Sequence, residues 1–263
     1  MQISKVMSKD VVYVNDNVTV THARQLMRDH FLRGLPVIDS SGRVLGMLTD
    51  QDILKITSTR SDVTVSGYVH ECPMITPKME VIKAARLMLG AKLERIPVIA
   101  SEDDRRIAGI LSNADILRNI HPTKVSPATA GNIMTPSVRT CSASDRVATV
   151  WSSMTTFDYT GLPVISEDEE MIGMVTRQDI IQSGFARTSI SDTHGTTPAN
   201  TPKIEKIMST PTYTISPDTP LTKCMEMILQ YDIGRLTVVD NGNLVGIVNR
   251  NDLLRACMIG TGI

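Results

Sequence analysis

A glycine followed six residues later by an aspartate, in a short apolar run that leads into a helix pattern, recurs four times in this chain. The pairs are Gly46/Asp52, Gly109/Asp115, Gly173/Asp179 and Gly246/Asp252. The copies read LGMLTDQDIL from Leu45, IAGILSNADIL from Ile107, IGMVTRQDII from Ile172 and VGIVNRNDLL from Val245. Three carry a hydroxyl three residues before the aspartate (Thr49, Ser112, Thr176), and the fourth has Asn249 there. Recurrence at roughly sixty to seventy-five residues constrains the fold more than any other feature. Each copy is one supersecondary unit, too small to cover its own apolar surface alone.

The surroundings repeat with the marker. Each unit opens on a short entry segment: Val6-Met7-Ser8-Lys9-Asp10, Val69-His70-Glu71-Cys72-Pro73, Ile133-Met134-Thr135-Pro136 and Ile207-Met208-Ser209-Thr210-Pro211. A β-rich piece follows, then an amphipathic stretch with apolar residues spaced by three and four. These are Val20, Ala23, Met27; Val81, Ala84, Met88; Val147, Val150, Met154; and Leu221, Cys224, Ile228. That spacing puts each trio on one helical face, which predicts burial. Thr19, Asp145 and Thr219 stand where a side-chain oxygen would cap the helix start. Each helix runs into an apolar strand (Leu35-Pro36-Val37-Ile38, Ile96-Pro97-Val98-Ile99, Leu162-Pro163-Val164-Ile165, Leu236-Thr237-Val238-Val239), in which proline is expected at the first residue or an edge. A polar turn then gives a hairpin into the glycine strand. The unit is therefore strand, helix, strand, strand, helix, an α/β fold with a small sheet.

These units span 1–58, 64–120, 128–183 and 202–258, with a polar linker at 184–201 and shorter links at 57–67 and 121–131. Units one and two, and units three and four, are expected to pair through their sheets. The four would form a flat disk within one chain, or two chains would associate as a homodimer. Aromatics make up only 3% of the 263 residues while Met numbers 15, so the core must be aliphatic. Cys72, Cys141, Cys224 and Cys257 form no C-x-x-C pair and are read as small buried hydrophobes.

Together these motifs are identified as four tandem cystathionine-β-synthase (CBS) domains, that is, two Bateman modules. The layout resembles the γ subunit of AMP-activated protein kinase. The resemblance implies a regulatory, energy-sensing protein without catalytic activity of its own. It would bind an adenine nucleotide (AMP, ADP, ATP) or S-adenosylmethionine in clefts between repeats and signal to an unidentified protein target. It places the ligand ribose on Asp52, Asp115, Asp179 and Asp252, with Thr49, Ser112 and Thr176 beside them. A carboxylate suits this role because it accepts hydrogen bonds from both hydroxyls of a ribose diol. Phosphates would meet Arg33, Arg95 and Arg235, with Thr160 in the third repeat, since a guanidinium pairs bidentately with phosphate oxygens. The base would rest among Val11, Val12, Met74, Ile75, Val138, Thr212 and Tyr213. Repeats one and two keep arginine, hydroxyl and aspartate together and form the favoured phosphate-binding module. Repeat three lacks the arginine, and repeat four has lost the hydroxyl.

Against this stands a scaffold whose clefts are vestigial and whose helix faces bind a partner or a second copy. An enzyme is the weakest reading: the five histidines are scattered, without metal-ligand spacing, and there is no P-loop or G-x-S-x-G. A net charge of -1 gives no argument for nucleic acid or an anionic membrane. The sequence has no apolar run long enough for a membrane span, so a cytoplasmic location is expected.

Overall fold

Strand, helix, strand, strand, helix is the order the computed structural model shows, and it describes residues 1–56, 63–120, 127–185 and 201–259. The linker expected at 184–201 falls almost wholly outside them. Repeat one comprises β1 (Val14–Asn15), α1 (Val20–Asp29), β2 (Gly34–Ile38), β3 (Val44–Thr49) and α2 (Asp50–Lys55). Repeat two has α3 (Val81–Ala91), β4 (Arg95–Ile99), β5 (Ile107–Ser112) and α4 (Asn113–Arg118); its first strand shrinks to one parallel bridge, Ile75 to Val98. Repeat three adds α5 (Ala130–Ile133) and β6 (Thr135–Pro136) before β7 (Cys141–Ser142), α6 (Val147–Thr156), β8 (Gly161–Ile165), β9 (Met171–Thr176) and α7 (Arg177–Gln182). Repeat four runs β10 (Thr214–Ile215), α8 (Leu221–Gln230), β11 (Arg235–Asp240), β12 (Asn243–Asn249) and α9 (Arg250–Ile259).

All twelve apolar residues on the predicted helical stripes are buried. Two local expectations need correction. Thr19 caps α1, its hydroxyl accepting from the His22 amide at 3.3 Å, but Asp145 and Thr219 stand one residue too early to cap theirs. They accept instead from the amides of Ser142 (2.8 Å) and Ser216 (3.1 Å), closing the turn ahead of the helix. The strand prolines, Pro36, Pro97 and Pro163, are third in their strands rather than first. In repeats one and three the parallel neighbour begins pairing one residue beyond the proline, at Val37 and Val164. The missing N–H therefore leaves no ladder bond unmade. In repeat four β10 pairs one residue earlier, and the Thr237 amide donates to the Tyr213 carbonyl at 3.2 Å, a bond proline could not make.

The repeats pair by exchanging their entry segments. Ser8 bridges to Ile110 of repeat two, and His70 bridges back to Met47 of repeat one. Ser209 bridges to Met174 of repeat three, while β6 pairs with β12 of repeat four. The crossing point is the repeated glycine in all four cases. A Cβ at Gly109 would lie 2.8 Å from the Ser8 carbonyl and 2.9 Å from the Met7 sulfur. At Gly173 it would meet the Met208 sulfur at 2.9 Å and the Ser209 carbonyl at 3.0 Å. Gly46 faces the His70 carbonyl and Gly246 the Met134 sulfur at closer range still. The glycine of the marker is thus demanded by a neighbouring repeat, not by its own strand.

Strand exchange joins repeats one with two and three with four, whereas helices join them the other way. One core combines Val20, Met27, Leu48 and Ile53 of repeat one with Val147, Trp151, Met154 and Ile180 of repeat three. A second combines Val81, Met88, Leu111 and Ile116 of repeat two with Leu221, Cys224, Ile228 and Leu253 of repeat four. The four units close a ring. Polar contacts cross the same seams: Trp151 Nε1 donates to the Leu54 carbonyl at 3.0 Å, Gln182 Nε2 donates to the Arg28 carbonyl at 2.6 Å, and Asn113 bonds Asn251. Cys141, Cys224 and Cys257 are buried in these cores and Cys72 is half-buried.

Replacing Gly46 with Ala is expected to destabilise the protein by about 1–3 kcal/mol, the usual effect of forced overpacking. Gly90 in α3 has nothing within 4 Å of its would-be Cβ. There the same change is expected to stabilise by up to about 1 kcal/mol through helix propensity. Urea midpoints of the two variants check the contrast.

Candidate functional site

Each repeat enters its central strand through a dipeptide that now acquires meaning: Arg33-Gly34, Glu94-Arg95, Thr160-Gly161 and Gly234-Arg235. The four dipeptides meet at the centre of the ring, where an arginine from one repeat lies over a glycine from another. The Arg33 guanidinium stands 2.7 Å from where a Cβ of Gly234 would be. Arg235 lies against Gly161, and the Arg95 side chain approaches Gly34. Thus Arg33, Arg95, Arg235 and Thr160, four residues from four repeats, gather in one place.

The centre is balanced by carboxylates. Arg33 Nη1 donates to Glu94 Oε2 at 2.9 Å. Burial opposes the Arg33 charge, but Glu94 and Asp50 outweigh it and hold its pKa above the ordinary value. Burial lowers Arg95, and it lowers Arg235 to about 10, with repulsion from Arg33 adding to the fall. Burial works against the Glu94 carboxylate too, yet Arg33 and Arg235 bring its pKa below the usual range. Burial raises Asp50, which is paired with Arg177 (3.5 Å), itself bonded to Asp158 at 2.7 Å. Among the described residues the Nε atoms of Arg95 and Arg235 are buried without a hydrogen-bond partner. Two guanidiniums so placed are donors awaiting an acceptor.

The four aspartates begin their closing helices as capping boxes. Asp52 Oδ2 accepts from the Thr49 amide at 2.8 Å and hydroxyl at 2.6 Å. Asp115 treats Ser112 alike (2.9 and 2.7 Å), and Asp179 treats Thr176 alike (2.7 and 2.7 Å). In repeat four Asn249 takes the hydroxyl's part, its Oδ1 accepting from the amides of Asn251 (2.8 Å) and Asp252 (3.1 Å). One carboxylate oxygen of each aspartate is thereby committed to the helix start. The other oxygen distinguishes them. Asp52 Oδ1 is held by His70 Nε2 at 2.7 Å and Asp115 Oδ1 faces Arg118 at 3.4 Å. Those of Asp179 and Asp252 accept no hydrogen bond among the described residues, and burial raises both pKa values. Asp179 has no arginine at the strand entry of its own repeat, but the structure supplies the fields of Arg235 and Arg33 from other repeats.

Two adjoining cavities open here. The central one, about 310 Å³, is lined by residues of all four repeats, including Arg33, Arg95, Thr49, Thr160, Thr176 and Asn249. The second, about 280 Å³, is lined by Val138, Arg139, Thr160, Arg235, Ile247 and Asn249 among others. Of the residues expected around a base, only Val138 lines either cavity. Ile75 is fully buried beside Val98 and Val12 packs against the core of repeats one and three, while Val11 and Thr212 are half-buried. Met74 packs near Ile38 and Ile99 and accepts through sulfur from Arg105 at 3.1 Å. Tyr213 stacks on Tyr231 with ring centroids 4.4 Å apart. Sequence reasoning missed His70 and Glu94, and passed over the glycines opposite each arginine. The alternation RG, ER, TG, GR was the available signal.

A family model described as the CBS domain matches residues 3–58, 65–122, 130–184 and 204–259. The chain belongs to the CBS-domain family. It is 25% identical over 260 residues to the uncharacterized protein MJ1404 of Methanocaldococcus jannaschii, covering 96% of this chain but 61% of that relative. It is 31% identical over 117 residues to inosine-5'-monophosphate dehydrogenase of the same organism, 43% of this chain and 22% of that enzyme. Among solved structures, protein MJ1225 of M. jannaschii, described as a candidate archaeal homologue of g-AMPK, superposes with a TM-score of 0.82 at 21% identity. That match covers 97% of this chain and 99% of the other, and shows a shared fold. Among the described residues no helix is long and apolar enough to cross a membrane, and no group of three or more His, Cys, Asp or Glu is placed to hold a metal ion.

Because the folded Glu94 pKa is depressed, its pairing stabilises the protein above the unfolded glutamate value. That contribution is lost as pH falls through the folded value. Arg33→Met is expected to destabilise by about 1–3 kcal/mol at pH 7, since it strands a partly buried carboxylate. The difference from wild type should shrink towards zero as acid protonates Glu94. Urea titrations at neutral and acid pH test the trend.

Proposed function

We propose that this CBS-domain protein is a regulatory sensor that binds an adenosyl ligand between its repeats and signals to a partner protein in trans. The candidates are AMP, ADP, ATP and S-adenosylmethionine. In this reading the second cavity takes the nucleoside. The base lies against Val138 and Ile247, the ribose reaches Asn249 and, behind it in the same capping box, the open oxygen of Asp252, which is not itself in the cavity lining, and the phosphate points to Thr160 and Arg235 at the ring centre. Its volume lies near the lower end of the ~300–1,000 Å³ usual for small-molecule sites.

The observation that carries this reading is the convergence of Val138, Thr160 and Arg235 on one cavity, with the Nε of Arg235 buried and unpartnered. A phosphate oxygen would satisfy that donor and relieve the repulsion between Arg235 and Arg33. The same geometry moves the favoured site. Asp52 and Asp115, in the module expected to bind phosphate, already hold His70 and Arg118, so a ribose there must displace a protein partner. Asp252 needs no such displacement. The scaffold reading loses ground for a related reason: faces of α1, α2, α6 and α7, and of α3, α4, α8 and α9, are buried against each other inside the chain.

Binding at a seam gives the ligand leverage on the arrangement of the repeats, because it can favour one arrangement only through contacts that differ between them. Calorimetry with the four adenosyl ligands is expected to show binding below millimolar. Arg235→Met and Asp252→Asn should each weaken it by about tenfold or more, the effect of losing a charge-assisted hydrogen bond. Absence of binding by every adenosyl ligand, or unchanged affinity in both variants, would refute the assignment.

A further inference from the structure

Where the other repeats present Arg33, Thr160 and Gly234, repeat two presents a carboxylate, Glu94, and it lines the central cavity among guanidinium groups. Its Oε2 is 2.9 Å from Arg33 Nη1, and Arg33 in turn reaches across the ring to Gly234. The field of Glu94 also acts on Arg95, Arg235 and Arg250. No other repeat supplies an acidic residue at this position. Glu94 therefore does from inside the protein what a bound anion would do from outside.

We propose that Glu94 limits the negative charge the ring centre accepts, so that a ligand with one phosphate group binds in preference to a polyphosphate. The charges at the centre support this. Arg177 is engaged by Asp50 (3.5 Å) and Asp158 (2.7 Å), and Arg250 by Asp232 (2.8 Å). Glu94 engages Arg33. What is left is Arg95 and Arg235, two guanidiniums with no hydrogen bond or ion pair among the described residues. Two positive charges match a phosphate monoester dianion. Lys92 lines the central cavity and Arg139, over the Phe157 ring, lines the second, but both are exposed, where water and salt screen them. A second or third phosphate would bring further negative charge towards Glu94 with no buried unpaired cation to receive it, in a partly desolvated place where like charges repel strongly. The alternative role for Glu94, a strut that merely holds Arg33 against Gly234, makes no distinction between ligands of different charge.

The proposal rests on the adenosyl-ligand reading only for the identity of the ligand; the charge rule applies to any phosphate anion. The full-length protein is titrated calorimetrically, without divalent cations, with inorganic phosphate, pyrophosphate, AMP and ATP. Wild type, Glu94→Gln and Glu94→Asp are compared. Wild type should bind AMP about tenfold tighter than ATP, and phosphate tighter than pyrophosphate. Glu94→Gln should shift both ratios towards the polyphosphate by about tenfold, and Glu94→Asp, which keeps the charge, should keep the wild-type order. Thr160→Glu, adding a carboxylate at the equivalent position of repeat three, should shift the ratios the opposite way, and it keeps the test open if Glu94→Gln does not fold. A wild type that prefers polyphosphate, or a Glu94→Gln variant that changes both members of each pair by one factor, overturns the proposal. If neither nucleotide binds but the inorganic pair obeys the rule, charge selection stands and the adenosyl reading alone falls. If nucleotides bind with ratios that no variant moves, the adenosyl reading stands and charge selection falls.

Discussion

The Ser8 carbonyl lies 2.8 Å from the point a side-chain carbon would occupy at Gly109, and the other three repeats show the same approach of an entry segment to a glycine. This backbone crossing fixes which repeats are partners. It sets the register of the exchanged bridges, Ser8 with Ile110 and His70 with Met47, and so ties the two repeats of a module together. With sheets committed to one neighbour, the helices are left to find another, and the apolar stripes of repeats one and three, and of two and four, close on each other. The ring follows from these two incompatible pairings. Its centre is where the four strand entries must meet.

What fills that centre is charge. An arginine can cross between repeats only where the opposite residue has no side chain, and the dipeptides supply a glycine opposite each one. Burial is the main cause of the lowered pKa of Arg235, and repulsion from the Arg33 guanidinium adds to it. Glu94 and Asp50 offset part of that repulsion, not all of it. A protein that keeps unpartnered buried donors in its interior holds a place where an anion stabilises the folded state as well as binding to it.

Much of this was legible in the chain. The spacing of three and four predicts the burial of Val20, Ala23 and Met27 correctly because amphipathicity is a local property. The hairpins were equally local, with Gly42 and the Asn241-Gly242 pair at positive φ where the turns require it. The caps at Asp145 and Thr219 were misplaced by one residue, since the serine amides upstream compete for the same side-chain oxygen. Thr237 looked like a departure from the proline pattern, and its reason, the bond to Tyr213, depends on where a separate strand begins. The candidate site was legible by residue type and not by partner. Arg33, Arg95, Arg235 and Thr160 could be picked out as repeat positions, but not the fact that they converge. His70 was unreadable as a partner of Asp52 because its entry segment is exchanged.

Trp151 is the only tryptophan in the chain, and it sits at a seam. Its ring is buried between repeats three and one, and its indole N–H is tied to the Leu54 carbonyl. Either module could in principle keep its own exchanged strands while the helices between modules part. Such a separation would wet this one indole and free its N–H, whereas loosening of the seam between repeats two and four would leave it untouched. The intrinsic fluorescence of this protein is therefore a spectroscopic reporter of a single inter-module joint.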